Sequence, residues 1–315
     1  MQVTDIINEA TGKGRTLFTF ELLPPLKGDG LAGIFRAIDP LVEFSPSYIN
    51  VTFHREDFAG SGEDRHMVRR RPGTVGVSAA IRQRYGVEVV PHLICGGLSR
   101  YDIEDALIDL DFLGINNVLA LRGDNLRGQE RFVPHPDGHA HAEGLVGQIA
   151  DMNRGIFIDG QVSPCHNSEF CIGVAGYPEK HAEAASMEED IANLKRKVDA
   201  GASYVVTQLS FDNGRILSFI EHCRAAGIDV PIIPGLKPLS TKTQIDVLPS
   251  LFHVDIPAEL ATEARRCKDN DHVKELGIEW AVAQALELKK AGVPVLHFYT
   301  MGRSDNMCRI ARKVF

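Results

Sequence analysis

The chain has 315 residues, 44% of them hydrophobic and 24% charged, with a formal charge of −8. Those values describe a soluble globular protein with a sizeable core, and the negative balance excludes a general nucleic-acid binder. No apolar stretch approaches the roughly 20 residues that a bilayer span needs, and MQVTDIINEA lacks the basic start and apolar core of a secretory signal. A cytoplasmic protein without membrane or nucleic-acid partners is expected.

Short apolar or β-branched runs recur along the chain. They are TLFTFELL (16–23), SYINVTF (47–53), VEVVPHLI (87–94), INNVLALR (115–122), CIGVAG (171–176), SYVVTQL (203–209), VPIIPGL (230–236) and PVLHFYT (294–300). Helical patterns lie between them, among them 78–85, 102–113, 187–200, 215–226 and 273–291. Gly86, Gly114, Gly201, Gly227 and Gly292 stand where those helices end. Strand then helix, eight times over, with near-continuous apolar strands, predicts a single (β/α)8 TIM barrel covering 1–315 as one domain. A doubly wound open sheet competes, but no GxGxxG follows the first strand.

The six cysteines, at 95, 165, 171, 223, 267 and 308, form no CxxC and read as reduced thiols. His135, His139 and His141 of HPDGHAH sit in a Gly/Pro-rich segment without metal-ligand spacing, so no metal is expected. The basic run from Arg65 to Arg71 reads as a solvated loop before a helix.

Polar residues gather at the strand ends. Glu21 is the one charge in FTFELLPP, closed off by Pro24 and Pro25. Asn50 to His54, His92, Arg122 to Asp124, Tyr177, Gln208, Gly235 with Lys237, and Tyr299 with Arg303 follow on the later strands. Each alone reads equally as a core hydrogen-bonding residue or a cap. Eight strand ends on one rim point to an active site, because barrel chemistry sits at the C-terminal mouth.

FELLPP, NVTF, PHLIC, ALRGD, AGYPEKH, NLKRKVDAGA, TQLSFD, IPGLKP, KDND and HFYTMGR occur in an order that resembles the methylenetetrahydrofolate reductase family, across almost the whole chain. The resemblance implies a barrel that binds FAD without a Rossmann motif. It implies reduction of 5,10-methylenetetrahydrofolate to 5-methyltetrahydrofolate, with NADH or NADPH as co-substrate, both using one site in turn and supplying methyl groups for methionine synthesis. A homo-oligomer is implied as well. Glu21 would be the acid that protonates folate N10, its pKa raised by desolvation and by a second carboxylate, Asp124. Gln208 and Tyr299 would meet the substrate, and Arg303 the glutamate tail. Thr52, His92, Arg122, Gly123, Asp124, Tyr177, His181, Asp190, Asn193, Arg196 and Lys197 would hold FAD. The last four would share one helical face, with Arg196 and Lys197 answering the pyrophosphate.

Three features depart from the family pattern. Thr241 and Lys242 stand where many members carry an aromatic residue. HREDFAG replaces Tyr-Gly-Ala. The 154–170 loop is longer than in the shortest members, as a lid or a subunit contact. No regulatory domain is expected after the barrel. Two other readings stay open: a flavin barrel enzyme with a different one-carbon or pterin substrate, and a non-catalytic flavin-binding partner.

Overall fold

The structure, a computed structural model, describes the chain except residues 61–63, 65, 126–128, 130, 165–166 and 301–303. In chain order its elements are α1 (Val3–Gly12), β1 (Leu17–Leu22), α2 (Gly30–Val42), β2 (Tyr48–Val51), β3 (Asp57–Ala59), β4 (His66–Val68), α3 (Thr74–Tyr85), β5 (Glu88–Ile94) and α4 (Arg100–Phe112). Then come β6 (Asn117–Leu121), α5 (Ala142–Asn153), β7 (Cys171–Gly176), α6 (Met187–Asp199), β8 (Tyr204–Leu209), α7 (Asn213–Ala225) and β9 (Ile232–Leu236). The chain ends with α8 (Gln244–Phe252), α9 (Ala258–Arg266), α10 (Asn270–Lys290), β10 (Val295–Tyr299) and α11 (Asp305–Val314).

Eight strands close in the order β1-β10-β9-β8-β7-β6-β5-β2, all parallel. The expected (β/α)8 barrel is therefore present, each sequence run supplying one strand. The antiparallel pair β3–β4 is an insertion between β2 and α3. The five glycines at the helix ends all have positive φ; Gly86, in the left-handed region at φ 63°, donates its N–H to the Arg82 carbonyl. Two helices begin earlier than their apolar period suggests, because an aspartate caps each: Asp212 accepts from Gly214 and Arg215, and Asp269 from His272.

Strand residues alternate between two apolar environments. Phe18, Phe20, Leu22, Ile49 and Val51 face the surrounding helices, whereas Leu17, Tyr48, Val90, Leu119, Cys171, Tyr204, Val206, Ile233 and Val295 fill the lower barrel. Val3, Ile7 and Ala10 of α1 join this second cluster and close the N-terminal end. Asn117 fixes that plug: its Oδ1 accepts from Val3 N at 2.8 Å and its Nδ2 donates to Met1 O at 3.0 Å. With the bottom sealed, the mouth at the strands' C-terminal ends is the open face.

The 154–170 segment runs from α5 into β7, which puts it at the sealed N-terminal end. It folds on itself, Phe157 N donating to Gln161 O, and docks on α4 through Ile158 N and Glu104 Oε2 at 2.8 Å. It is not a lid over the mouth. Among the described residues no helix is long and apolar enough to cross a membrane. Cys95, Cys171, Cys223, Cys267 and Cys308 are free thiols, and Cys165 lies outside the described residues.

Candidate active site

The mouth is built from inward-facing side chains near the C-terminal ends of the strands. Strand alternation carries Thr19 and Glu21, Asn50 and Thr52, Val206 and Gln208, and His297 and Tyr299 inward. Thr19 Oγ1 and His297 Nδ1 share a hydrogen bond of 3.0 Å, and His92 Nε2 donates to Asn50 Oδ1 at 3.3 Å, forming a polar floor. Burial holds both imidazoles uncharged, pushing His92 and His297 down to about 3; the nearby His54 and His92, respectively, add to the effect.

Glu21 stands on this floor. Four of the other five residues of β1 are buried before it and one after, and it alone is partly exposed. Its register partners are Tyr299 on β10 and Asn50 on β2. Burial raises its carboxyl from 4.5 to about 7, and the charge of Lys237 opposes the rise. The second carboxylate expected to help, Asp124, is exposed, and its charge acts on His54 and Tyr177 instead. Desolvation alone makes Glu21 a neutral-range acid.

Tyr299 and Gln208 both bond to the backbone of β8. A register shift between Val206 and Leu209 turns the Thr207 carbonyl out of the ladder, and Tyr299 Oη donates to it at 2.6 Å. Gly235 permits this, since a Cβ there would lie 2.4 Å from both the Tyr299 ring and Thr207 O. Tyr299 is thus a wall of the mouth with its hydroxyl engaged. Gln208 Oε1 accepts from Leu209 N at 2.9 Å, which leaves its NH2 as the group for a bound ring. Arg303 lies outside the described residues.

The residues expected to hold a cofactor follow the β2–β5–β6–β7 side of the rim. Thr52 Oγ1 bonds Leu22 O at 3.2 Å, tying β2 to β1. Gly123, at φ 85°, lies where a Cβ would come 3.2 Å from the Ile94 side chain, so only glycine passes there. Arg122 pairs with Glu183 and stands 4.9 Å from the Phe132 ring centroid. Tyr177 and His181 meet edge to face at 4.7 Å; burial raises the Tyr177 hydroxyl to about 12 and lowers His181. His181 N donates to Asp190 Oδ2 at 3.0 Å.

The α6 residues do not share one face. Asp190 is buried at 7% exposure, and Lys197 points the same way, its Nζ donating to Ala175 O at 2.6 Å. Burial lowers that ammonium to about 8 despite Asp190 beside it. Arg196 turns outward to Asn193 and to Glu143 of α5. Adjacent helical positions differ by about 100°, so only one of the pair 196/197 can face the barrel. Lys197 therefore faces the strand, and Arg196 the surface.

Sequence reasoning placed Lys237 on the rim without a role and left two other groups, Arg55 and Glu179, out of the site. Lys237, 5% exposed, lines a cavity of about 180 Å³ with Ser240, Thr241, Tyr299, Thr300 and Asn306. Arg55 packs against Gly96 and Gly97, and its Nε and Nη1 are buried without a partner among the described residues. Glu179 accepts from Ser210 Oγ at 2.8 Å, and burial lifts its carboxyl to about 7. His135 and His139 serve the loop before α5, His139 sharing a 2.6 Å hydrogen bond with Gln148.

The methylenetetrahydrofolate reductase family model matches residues 6–314. The chain belongs to that family. It is 32% identical over 304 residues to the 5,10-methylenetetrahydrofolate reductase of Escherichia coli, covering 96% of this chain and 92% of that one. The Salmonella typhimurium enzyme of the same name is 33% identical over 294 residues, 93% and 88% of the two chains. The Arabidopsis thaliana methylenetetrahydrofolate reductase (NADH) 1 is 35% identical over 311 residues, 96% of this chain and 48% of that one. This chain thus spans about half the length of its plant relatives. Among solved structures, a Clostridium thermocellum protein that binds two copies of 5-methyl-5,6,7,8-tetrahydrofolic acid shares the fold at TM-score 0.54 and 13% identity, covering 98% of each chain.

Proposed function

We propose that this protein reduces 5,10-methylenetetrahydrofolate to 5-methyltetrahydrofolate, with electrons from NADH or NADPH carried by a bound FAD. One observation carries the reading: a carboxyl at the mouth end of β1, among otherwise buried strand residues, that keeps its proton near neutrality because it is desolvated. The methylene bridge of this folate joins N5 and N10 in a five-membered ring, a poor hydride acceptor. Glu21 would protonate N10, so that the methylene–N10 bond breaks with its electron pair on N10 and an N5-iminium cation is left. The acid must be protonated at working pH yet able to release its proton, which a pKa of about 7 allows.

The residues present fit a flavin dinucleotide. Asn50 Nδ2, beside Glu21, and Arg55 Nε and Nη1, beside the loop after β5, are buried donors without partners among the described residues. Thr52, His92, Gly123, Tyr177, His181 and Asp190 line the rim between those points, and Arg55 with Arg122 would answer the pyrophosphate in the place sequence reasoning gave to Arg196 and Lys197. When bound, the flavin supplies the two-electron hydride exchange that links nucleotide to folate. Gln208 would orient the pterin through its NH2, and Tyr299 would wall the opposite edge. Asp124, exposed beside His54, would favour cationic charge at the mouth. The plant relatives carry NADH in their names, which makes NADH the first donor to test.

The test separates two half-reactions. The FAD-reconstituted protein, held without oxygen, should lose its yellow colour with NADH and regain it with methylenetetrahydrofolate. Bleaching that the folate fails to reverse refutes the folate substrate, and failure to take up FAD refutes the flavin.

A further inference from the structure

The mouth contains a buried cation that the reaction as derived above does not use. Leu236 pairs with Phe298, so Lys237 lies level with Tyr299, which in turn pairs with Glu21. Glu21, Tyr299 and Lys237 therefore form one row across β1, β10 and the end of β9. Neighbouring strands are about 4.8 Å apart, so two strand spacings separate the backbones of Glu21 and Lys237, within reach of a four-carbon stem directed inward. The direction is inward: Gly235, two residues earlier, faces the Tyr299 ring, and Lys237 is 5% exposed in the cavity under Thr241 and Asn306. We propose that Lys237 is a positioning residue for Glu21: its buried ammonium sets the charge balance of the mouth in which that carboxyl holds and releases its proton.

The groups facing Glu21 leave the role to this lysine. From β10 and the residue after it come Tyr299, whose hydroxyl donates to the Thr207 carbonyl, and Thr300, whose hydroxyl donates to the Glu21 carbonyl at 2.8 Å. From β2 comes the uncharged amide of Asn50. The floor beneath carries His92 and His297, both kept neutral by burial. Asp124 acts on His54 and Tyr177, while Asp190 acts on Lys197 and His181. Among the described residues Lys237 is the charge that acts on Glu21, and it acts against burial. When the Glu21 proton passes to N10, a carboxylate is left in a desolvated site, and the ammonium stabilises it.

This inference rests on the role proposed for Glu21, and the tests are chosen to fail separately. An opposite charge within about 4–6 Å lowers a carboxyl pKa by about 1–3 units, so its removal should move the limb the other way. In K237M and K237Q, the alkaline limb of the folate half-reaction should rise by about one pH unit or more, while K237R keeps the wild-type limb. The second readout needs no activity: the pH range over which E21Q gains thermal stability relative to its Glu21 parent should extend upward in the K237M and K237Q backgrounds by the same interval. A protein that reduces no folate, yet shows that extension, sinks the folate reading and keeps the coupling. A limb and a stability range that stay put in whichever uncharged variant folds overturn the role of Lys237.

Discussion

Replacing Glu21 by Gln removes one proton and little else, since the amide keeps the shape of the carboxyl. With a pKa of about 7, roughly half of Glu21 is protonated at pH 7, against about 0.3% at the ordinary 4.5, so burial enlarges the acid population about 150-fold. Loss of a general acid typically costs about 10²- to 10⁴-fold, and E21Q should lose that much of the folate half-reaction while NADH still bleaches the flavin. The same shift has a thermodynamic consequence of fixed sign. The folded pKa lies above the unfolded one, so the folded protein holds the extra proton between about pH 4.5 and 7. Wild-type stability relative to E21Q is therefore fully present below about 4.5 and falls as pH rises to about 7. The loss amounts to about 3 kcal/mol, or about 4 °C in Tm for a chain of this size. Stopped-flow absorbance of each half-reaction, with melting curves at pH 5 and 8.5, tests both consequences. Folate reduction by E21Q at the wild-type rate, or a Tm difference independent of pH, would refute the assignment.

Gly277→Ala should cost about 1–3 kcal/mol or more in thermal unfolding, because a Cβ on α10 would stand 1.9 Å from the Leu239 carbonyl in the segment that carries Lys237 and Thr241. His297, lowered to about 3 by burial, works with the opposite sign to Glu21. The unfolded chain binds the proton first, so the stability it contributes is full above about 6.5 and lost as pH falls toward 3. His297→Gln should therefore flatten the fall in urea midpoint between pH 7 and 4.5, and an unchanged slope would show that this imidazole is not held neutral.

The barrel was legible because apolar runs of strand length recur eight times, and at five of the repeats a glycine of positive φ ends the next helix. Glu21 was legible as a charge at the end of such a run. What stayed hidden depends on contacts distant in sequence. Lys237 was legible as a rim residue just past a strand end, but its burial, by the packing of Asn306, Met307 and Tyr299 around it, was not. The helical period places 190 and 197 together but cannot say which of 196 and 197 turns inward, which the neighbouring Ala175 carbonyl and Glu143 decide. Gln208 could offer both amide groups by its type; the bulge in β8 takes one. Arg55 lies in a charged loop, and its burial follows from the approach of Gly96 and Gly97.

A pH limb near 7 does not by itself identify Glu21, because Glu179 also carries its proton into that range. The two carboxyls differ in surroundings. Glu21 belongs to the row of Tyr299 and Lys237, whereas Glu179 is bonded by Ser210 and senses Arg215, Asp212 and Asp255 around the start of α7. Both should therefore show in the pH dependence of stability, while one alone should show in the chemistry. Glu179→Gln keeps an oxygen to accept from Ser210 and should gain stability as pH rises through the same range as E21Q. Its folate half-reaction should keep the wild-type limb. If that limb disappears with Glu179→Gln and survives Glu21→Gln, the proton comes from the β7 side of the mouth, and Lys237 faces the wrong carboxyl.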